Sequence, residues 1–131
     1  MKCLSFIFLV FGLTVSCNQH KASFMPAETG LDAGREFIDG CLKGDFIKAH
    51  YYMIDDITNN GFLNDAESTY RKADKEGRQQ MRGASINIKE LKEVNDSVVH
   101  LHYSHTMDTT GKWLTIKKTQ DGWQVDYKKS F

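Results

Sequence analysis

Proline occurs once in this 131-residue chain, at Pro26, so nothing from Ala27 onward forces a helix break or removes a donor from a sheet ladder. Cysteine occurs three times, at Cys3, Cys17 and Cys41, and the first two stand in or beside an apolar leader. Cys41 is left without a partner, which excludes a disulfide-stapled fold; stability has to come from a buried core. Net charge is absent as well, because 17 basic and 17 acidic side chains cancel. A chain without a basic surplus lacks the cationic face that nucleic acid requires, and nucleic acid is not among the expected partners. The sequence also lacks internal repeats, low-complexity tracts and any apolar run long enough to span a bilayer. Its most apolar stretch, Leu4 to Val15, has twelve residues where a spanning helix needs about twenty.

That stretch follows a positive start at Lys2 and leads through Leu13-Thr14-Val15-Ser16 into Cys17, the layout of a secretory signal. It resembles a bacterial lipoprotein signal, in which the cysteine after a small residue receives lipid and becomes the new N-terminus. The resemblance implies that residues 1–16 are removed, that Cys17 is the lipidation site and that the protein is held in the bacterial cell envelope through its lipid. Each buried methylene contributes about 0.8 kcal/mol and stable anchoring takes two or more chains; lipoproteins of this type carry two or three. Asn18-Gln19-His20-Lys21 lacks the acidic cluster that some lineages use for surface export, which favours a periplasm-facing position. The remaining 115 residues make one domain with 16 basic against 17 acidic side chains.

Residues 18–29 show no sustained period and hold the single proline, so residues 17–29 read as a tether and 30–131 as the folded unit. Thr29-Gly30-Leu31-Asp32 matches a capping box, and Phe37, Ile38, Cys41 and Leu42 recur at helical spacing up to about Lys43. Gly44-Asp45 ends that helix and caps a second. Phe46, Ala49, Met53 and Ile57 form the second helix's stripe, and Ile47, Tyr51 and Ile54 widen it, which predicts burial on more than one side. Asp55-Asp56 reads as the end of that helix and a cap for its successor rather than a catalytic pair. Asn60 caps a third helix carrying Leu63, Ala66, Tyr70 and Ala73.

After Gly83 the period changes to alternation and predicts four strands. Ile86 and Ile88 lie in the first. Asn95-Asp96 turns the chain into a strand with Val99, Leu101, Tyr103, His105 and Met107 on one face and His100 and His102 on the other. Asp108 to Gly111 makes the next turn, before Trp113 to Lys118. Asp121-Gly122 is the strongest hairpin signal, leading into Trp123, Val125 and Tyr127 with Asp126 pointing to the opposite side. Helices first and an antiparallel sheet afterwards indicate an α+β domain in which the N-terminal helices pack on a curved four-stranded sheet.

The run from Phe37-Ile38 to Leu42-Lys43-Gly44-Asp45-Phe46 with Ala49, followed by Leu114-Thr115-Ile116-Lys117 and Asp121-Gly122-Trp123-Gln124-Val125-Asp126, resembles nuclear transport factor 2-like proteins. More narrowly, it is similar to small bacterial lipoproteins of that superfamily, whose domains begin with a helix ending in Lys-Gly-Asp and end with a Gly-Trp-Lys-Val strand. In many members a strand pair interrupts the helices, whereas no strand is evident here before Ser85. The resemblance implies a cone-shaped barrel; members with a pocket between sheet and helices include isomerases and dehydratases.

Seven residues are expected to line such a pocket: Phe37, Tyr51, Leu101, Tyr103, His105, Trp123 and Tyr127. The inward set holds no carboxylate, so the acid–base pair of an isomerase-like site is missing and no catalytic residue is assigned. His105 beside Tyr103 reads as a hydrogen-bonded core pair. His100 and His102 project the same way about 7 Å apart, enough for two imidazoles to meet one metal, but a zinc site needs three or four ligands and a solvated face is the simpler reading. Cys41 lacks a basic neighbour at helical spacing and reads as buried and inert. Arg71, Lys72, Lys75, Arg78 and Arg82 outnumber Asp74 and Glu76 by three, a solvated helix face with anionic headgroups as a minority partner. Trp113, on a side shared with Thr115 and Lys117, is placed to stack on a glycan or a partner protein.

The function expected from these residues is non-enzymatic binding of a small apolar molecule or an envelope protein by a membrane-anchored lipoprotein, with no cofactor. An isomerase- or hydratase-like activity in the cone pocket is the alternative, and a metal-binding module the third. The oligomeric state stays open, a dimer included.

Overall fold

The computed structural model of the protein describes residues 23–131. Cys17 and the apolar leader lie outside the described residues. Four helices precede four strands: α1 Gly30–Lys43, α2 Phe46–Tyr51, α3 Ile57–Lys72, α4 Lys75–Arg82, β1 Ile86–Asn95, β2 Val98–His105, β3 Asp108–Thr119 and β4 Gly122–Val125, followed by a 3-10 turn at Tyr127–Lys129. The strands form an antiparallel meander in the order β1-β2-β3-β4. The class is α+β, as the change of period predicts.

Helix α1 forms where its caps allow. The Thr29 hydroxyl accepts from the Asp32 amide at 3.1 Å, and Gly44 closes the other end with φ of 73° while its amide reaches back to the Gly40 carbonyl. The buried stripe Ala33, Phe37, Ile38 and Leu42 lies across the sheet and meets Leu101, Leu114, Ile116 and Val125, each 0–1% exposed. Gly44 is required twice over. A Cβ there would sit 2.5 Å from the Tyr70 ring, and the left-handed backbone itself penalises any other residue. Gly44→Ala is expected to destabilise the domain by about 1–2 kcal/mol, measured by urea unfolding.

The covering layer is thinner than predicted. α1 touches all four strands, while α2 and α4 pack on α1, and α3 packs on α2 and on the 3-10 turn. α2 is a single short helix rather than one running to Ile57. It stops because the next residues join the sheet edge: the Val125 amide donates to the Tyr52 carbonyl at 2.8 Å, the Ile54 amide donates to the Val125 carbonyl at 2.9 Å, and Met53 bridges Val125 in parallel. Ile47 and Ile57 are therefore 77% and 92% exposed, against the expectation of burial on several sides. Asp56, not Asn60, caps α3, accepting from the Asn59 amide at 2.8 Å. A second cap, Asp74, separates α4 from α3 where the sequence suggests a single helix.

The packed structure also begins earlier than Gly30. Phe24 packs at a tilt against Tyr51 and Tyr52, the Tyr52 hydroxyl donates to the Met25 carbonyl at 2.8 Å, and the Trp123 amide donates to the Ala27 carbonyl at 3.1 Å. Residues 24–27, expected in the tether, thus hold onto α2 and β4.

Two features of the sheet depart from simple alternation. β2 ends at His105, and the turn to β3 uses residues 106–107 rather than Asp108 to Gly111. Residues 109–111 then bulge opposite Ser104, a conformation that Gly111 permits with φ of 90°. Met107 is consequently 47% exposed instead of inward. β4 stops at Val125; the Asp126 amide still donates to the Thr115 carbonyl at 2.8 Å, and the chain then turns away so that Tyr127 is not a strand residue.

Candidate functional site

Where β4 gives way to the 3-10 turn, the inner face of the sheet is left incompletely covered, and a cavity of about 140 Å³ opens there. Tyr103 from β2, Lys112 and Leu114 from β3 and Tyr127 form its walls, with Trp113, Ser130 and Phe131 at its rim. Residues 130–131 are pinned over it by β3: the Trp113 and Phe131 amides exchange hydrogen bonds with each other's carbonyls at 2.6 and 2.9 Å, and the Thr115 amide donates to the Ser130 hydroxyl at 3.2 Å. Phe37 of α1 supports Tyr127 edge-on, with ring centroids 5.1 Å apart.

Two tyrosines give the cavity its polarity. Of the other tyrosine hydroxyls, that of Tyr52 donates to the Met25 carbonyl and that of Tyr70 lies between the Lys43 carbonyl and Arg82, while that of Tyr51 has no partner among the described residues. Among the described residues the hydroxyls of Tyr103 and Tyr127 have none. Burial pushes both phenols above the usual tyrosine range, and each is raised further by its neighbours, so both stay protonated donors at neutral pH. Burial pushes the thiol of Cys41, a partly buried residue, up to about 12, which disfavours the reactive thiolate at neutral pH.

The seven residues expected in one pocket are divided. Tyr103 and Tyr127 line the cavity, and Phe37 backs it. Leu101 is wholly buried against α1 and faces no cavity. Tyr51 packs against Phe24 and does not line the cavity, and Trp123 lines a separate groove of about 500 Å³ with Gly30, Leu91 and Val99. His105 sits at the β2–β3 turn, where its Nδ1 accepts from the Met107 amide at 3.3 Å; it makes no core pair with Tyr103, and burial lowers its pKa. Lys112 and residues 130–131 escape sequence reasoning, because β3 starts earlier than the expected Trp113, which places Lys112 opposite Tyr103, and the turn that folds Phe131 back leaves no trace in a periodic pattern.

The carboxylates that would bear on acid–base chemistry are committed elsewhere. Asp39 bonds Lys43 and Lys48, and although burial acts to raise its pKa, those two lysines hold it below the usual range. Asp45 caps α2 through the Lys48 amide, and Asp55 holds Asn60 and faces His50 at 3.4 Å. None of them faces Tyr103 or His105.

Alternation points Asp126 away from the pocket, and it does lie there, but it is 1% exposed rather than solvated. Its carboxylate meets Lys117 at 2.7 Å, Lys128 at 3.5 Å and the Asn59 amide group at 3.2 Å. Asn59, itself fully buried, accepts from the Lys128 amide at 2.7 Å and so ties α3 to the turn that carries Tyr127.

On the outer face of the sheet His100 and His102 belong to an aromatic row. The His102 ring stacks on Trp113 at 4.6 Å with 7° between planes, Trp113 stacks on Phe131 at 6.1 Å, and His100 meets Phe131 edge-on at 5.8 Å. Among the described residues no three His, Cys, Asp or Glu side chains converge as metal ligands. Trp113 is partly covered by these neighbours rather than open for stacking.

No family model matches the chain, and neither a curated protein nor a solved structure does.

Proposed function

We propose that this chain is a lipid-anchored envelope protein whose nuclear transport factor 2-like domain binds a small, mainly apolar molecule without transforming it. One observation carries the reading: two protonated tyrosyl donors without protein side-chain or backbone partners face a small cavity whose other lining residues are Lys112, Trp113, Leu114, Ser130 and Phe131, with no Asp or Glu side chain among them. Neither hydroxyl is sealed from solvent, so a guest with an acceptor atom exchanges a bond to water for one to the guest and gains about 0.5–1.5 kcal/mol per bond. An apolar cavity of about 150 Å³ accommodates a benzene-sized guest, so the cavity here suits a single ring bearing a carbonyl or ether oxygen. The order of helices and meander and the Met53 bridge beside β4 support the superfamily assignment; the Lys43-Gly44-Asp45 helix end and the Gly122-Trp123 strand supply its motifs.

Mass spectrometry of the protein purified natively from membranes tests the binding reading. A retained compound of ring size is expected in the wild type and lost from the Tyr103→Phe, Tyr127→Phe double variant, which keeps both rings and so the fold. A wild type that retains nothing, and whose melting temperature benzaldehyde and acetophenone leave unchanged, overturns it; a retained compound that changes chemically on incubation favours the isomerase- or hydratase-like alternative. For the anchor, Cys17→Ala is expected to move the protein from the membrane fraction to the soluble one. Unaltered detergent partitioning of that variant sinks the lipoprotein reading.

A further inference from the structure

The basic run of α3 and α4 is built into a cleft. Between the α1–α2 junction and these two helices lies a space of about 420 Å³ lined by Gly44, Phe46, Tyr70, Arg71 and Arg78. Phe46 and Tyr70 meet edge-on at 5.8 Å and form an aromatic wall. Two guanidinium groups line the cleft, Arg71 and Arg78, and a third, Arg82, holds its Tyr70 wall from outside; each is held differently. Arg71 gives Nε and Nη2 to Glu67, leaving Nη1 uncommitted. Arg78 gives Nη1 to the carbonyls of Ala73 and Arg71, which fixes the group at the break between the helices while Nε and Nη2 stay open. Arg82 donates to the Tyr70 hydroxyl at 2.9 Å. Among the described residues neither Arg78 nor Arg82 has a carboxylate within ion-pair distance, and no carboxylate lines the cleft.

We propose that this cleft binds a phosphate group, with Arg78 as the principal ligand and Arg71 as the second. A guanidinium presents a planar fork of donors matched to two phosphate oxygens, and immobilising it beforehand reduces what is lost on binding. At Arg78 backbone carbonyls supply that immobilisation without neutralising the charge; Arg71 is held instead by the Glu67 carboxylate, which makes it the weaker ligand. The aromatic wall leaves room beside the phosphate for the carbon skeleton of a phosphate ester. Such a group reaches the cleft either on a soluble phosphate ester or on a phospholipid headgroup, and the two sources share the same chemistry.

The test uses the full chain in detergent at low ionic strength, where surface charge is least screened. One arm titrates glycerol 1-phosphate and inorganic phosphate by calorimetry. The other measures co-sedimentation with phosphatidylglycerol vesicles against phosphatidylcholine vesicles. Arg78→Gln is expected to weaken binding at least about tenfold, the equivalent of one charge-assisted bidentate contact, and Arg71→Gln severalfold. The Lys72→Gln, Lys75→Gln variant removes two charges outside the cleft and is expected to change binding less than about twofold. Arg71 holds no backbone group, so its variant keeps the test informative if Arg78→Gln perturbs the helix break. Loss confined to the soluble arm identifies a soluble ester, and loss confined to anionic vesicles identifies a headgroup. No binding in either arm, or equal losses in the lysine control, overturns the proposal.

Discussion

Replacing Asp126 with alanine is expected to destabilise the domain by about 3 kcal/mol, the low end of what breaking a buried ion pair costs. The low end applies because Lys117 and Lys128 are 39% and 31% exposed and can turn toward water once their partner is gone. Asn59 cannot, being wholly buried with its amide group shared among Asp126, Asp56 and the Ile54 carbonyl. The effect depends on pH in a defined direction. Burial acts to raise the Asp126 pKa, but hydrogen bonds from Lys117 and Asn59 and the charges of Lys117 and Lys128 outweigh it and hold the carboxyl below the usual aspartate range. A carboxyl with a lower pKa folded than unfolded stabilises the fold fully above its unfolded pKa, and that stability is lost as pH falls through the folded value. Urea unfolding is therefore expected to show the whole difference between wild type and Asp126→Ala at neutral pH and a shrinking one below about pH 4. A difference that stays constant into acid would mean that the carboxylate's charge contributes nothing. Asp39, Asp56 and Asp108 are shifted in the same direction, so the wild type's own acid limb is steepened by several groups at once.

This cluster is invisible to pattern reading, and the reason is physical. Alternation along Trp123, Gln124, Val125 and Asp126 places Asp126 on the side away from α1, which is right; it does not say that α3 returns to cover that side. Only the third dimension brings Asn59 against a residue 67 positions later in the chain. The same limit explains α2. Phe46 to Ile57 carries a helical stripe, yet Met53 and Ile54 gain hydrogen bonds from the open edge at Val125, and tertiary pairing overrides local period. What is legible is what local chemistry decides. Thr29 and Gly44 bound α1, Asp121-Gly122 turns β3 into β4, and Val99, Leu101 and Tyr103 face the core, because caps, left-handed glycines and strand period act within a few residues. Of the candidate cavity, alternation finds Tyr103; it also names Tyr127, which reaches the cavity from the 3-10 turn and not from a strand. It does not reach Lys112, which is in phase with Leu114 and Ile116, because the strand is expected to begin at Trp113 and in fact begins at Asp108.

Gly34→Leu is expected to be as damaging as the loss of Asp126, for the opposite reason. α1 approaches the sheet so closely at Gly34 that a Cβ would lie 2.5 Å from Leu101 Cδ2 and 2.9 Å from Ile116 Cδ1. Those two side chains are 0% exposed, so neither methyl has space to retreat into. Leucine replaces glycine's unfavourable helix entropy and so gains about 1 kcal/mol. Against this, four added carbons in a filled layer force α1 outward or its neighbours off their rotamers, and overpacking of this kind costs about 1–3 kcal/mol or more. The steric term wins here, because lifting α1 also separates Ala33, Phe37 and Ile38 from the sheet, and a net loss of about 3 kcal/mol is expected. For a domain of roughly 100 residues this is a fall in melting temperature of about 12–24 °C by calorimetry. The effect reaches the cavity, since Phe37 lies one turn beyond Gly34 on α1 and is the ring against which Tyr127 rests. A Gly34→Leu protein that melts with the wild type would mean that α1 stands farther from the sheet than these contacts require, and Tyr127 would then lose the support that aims its hydroxyl at a guest.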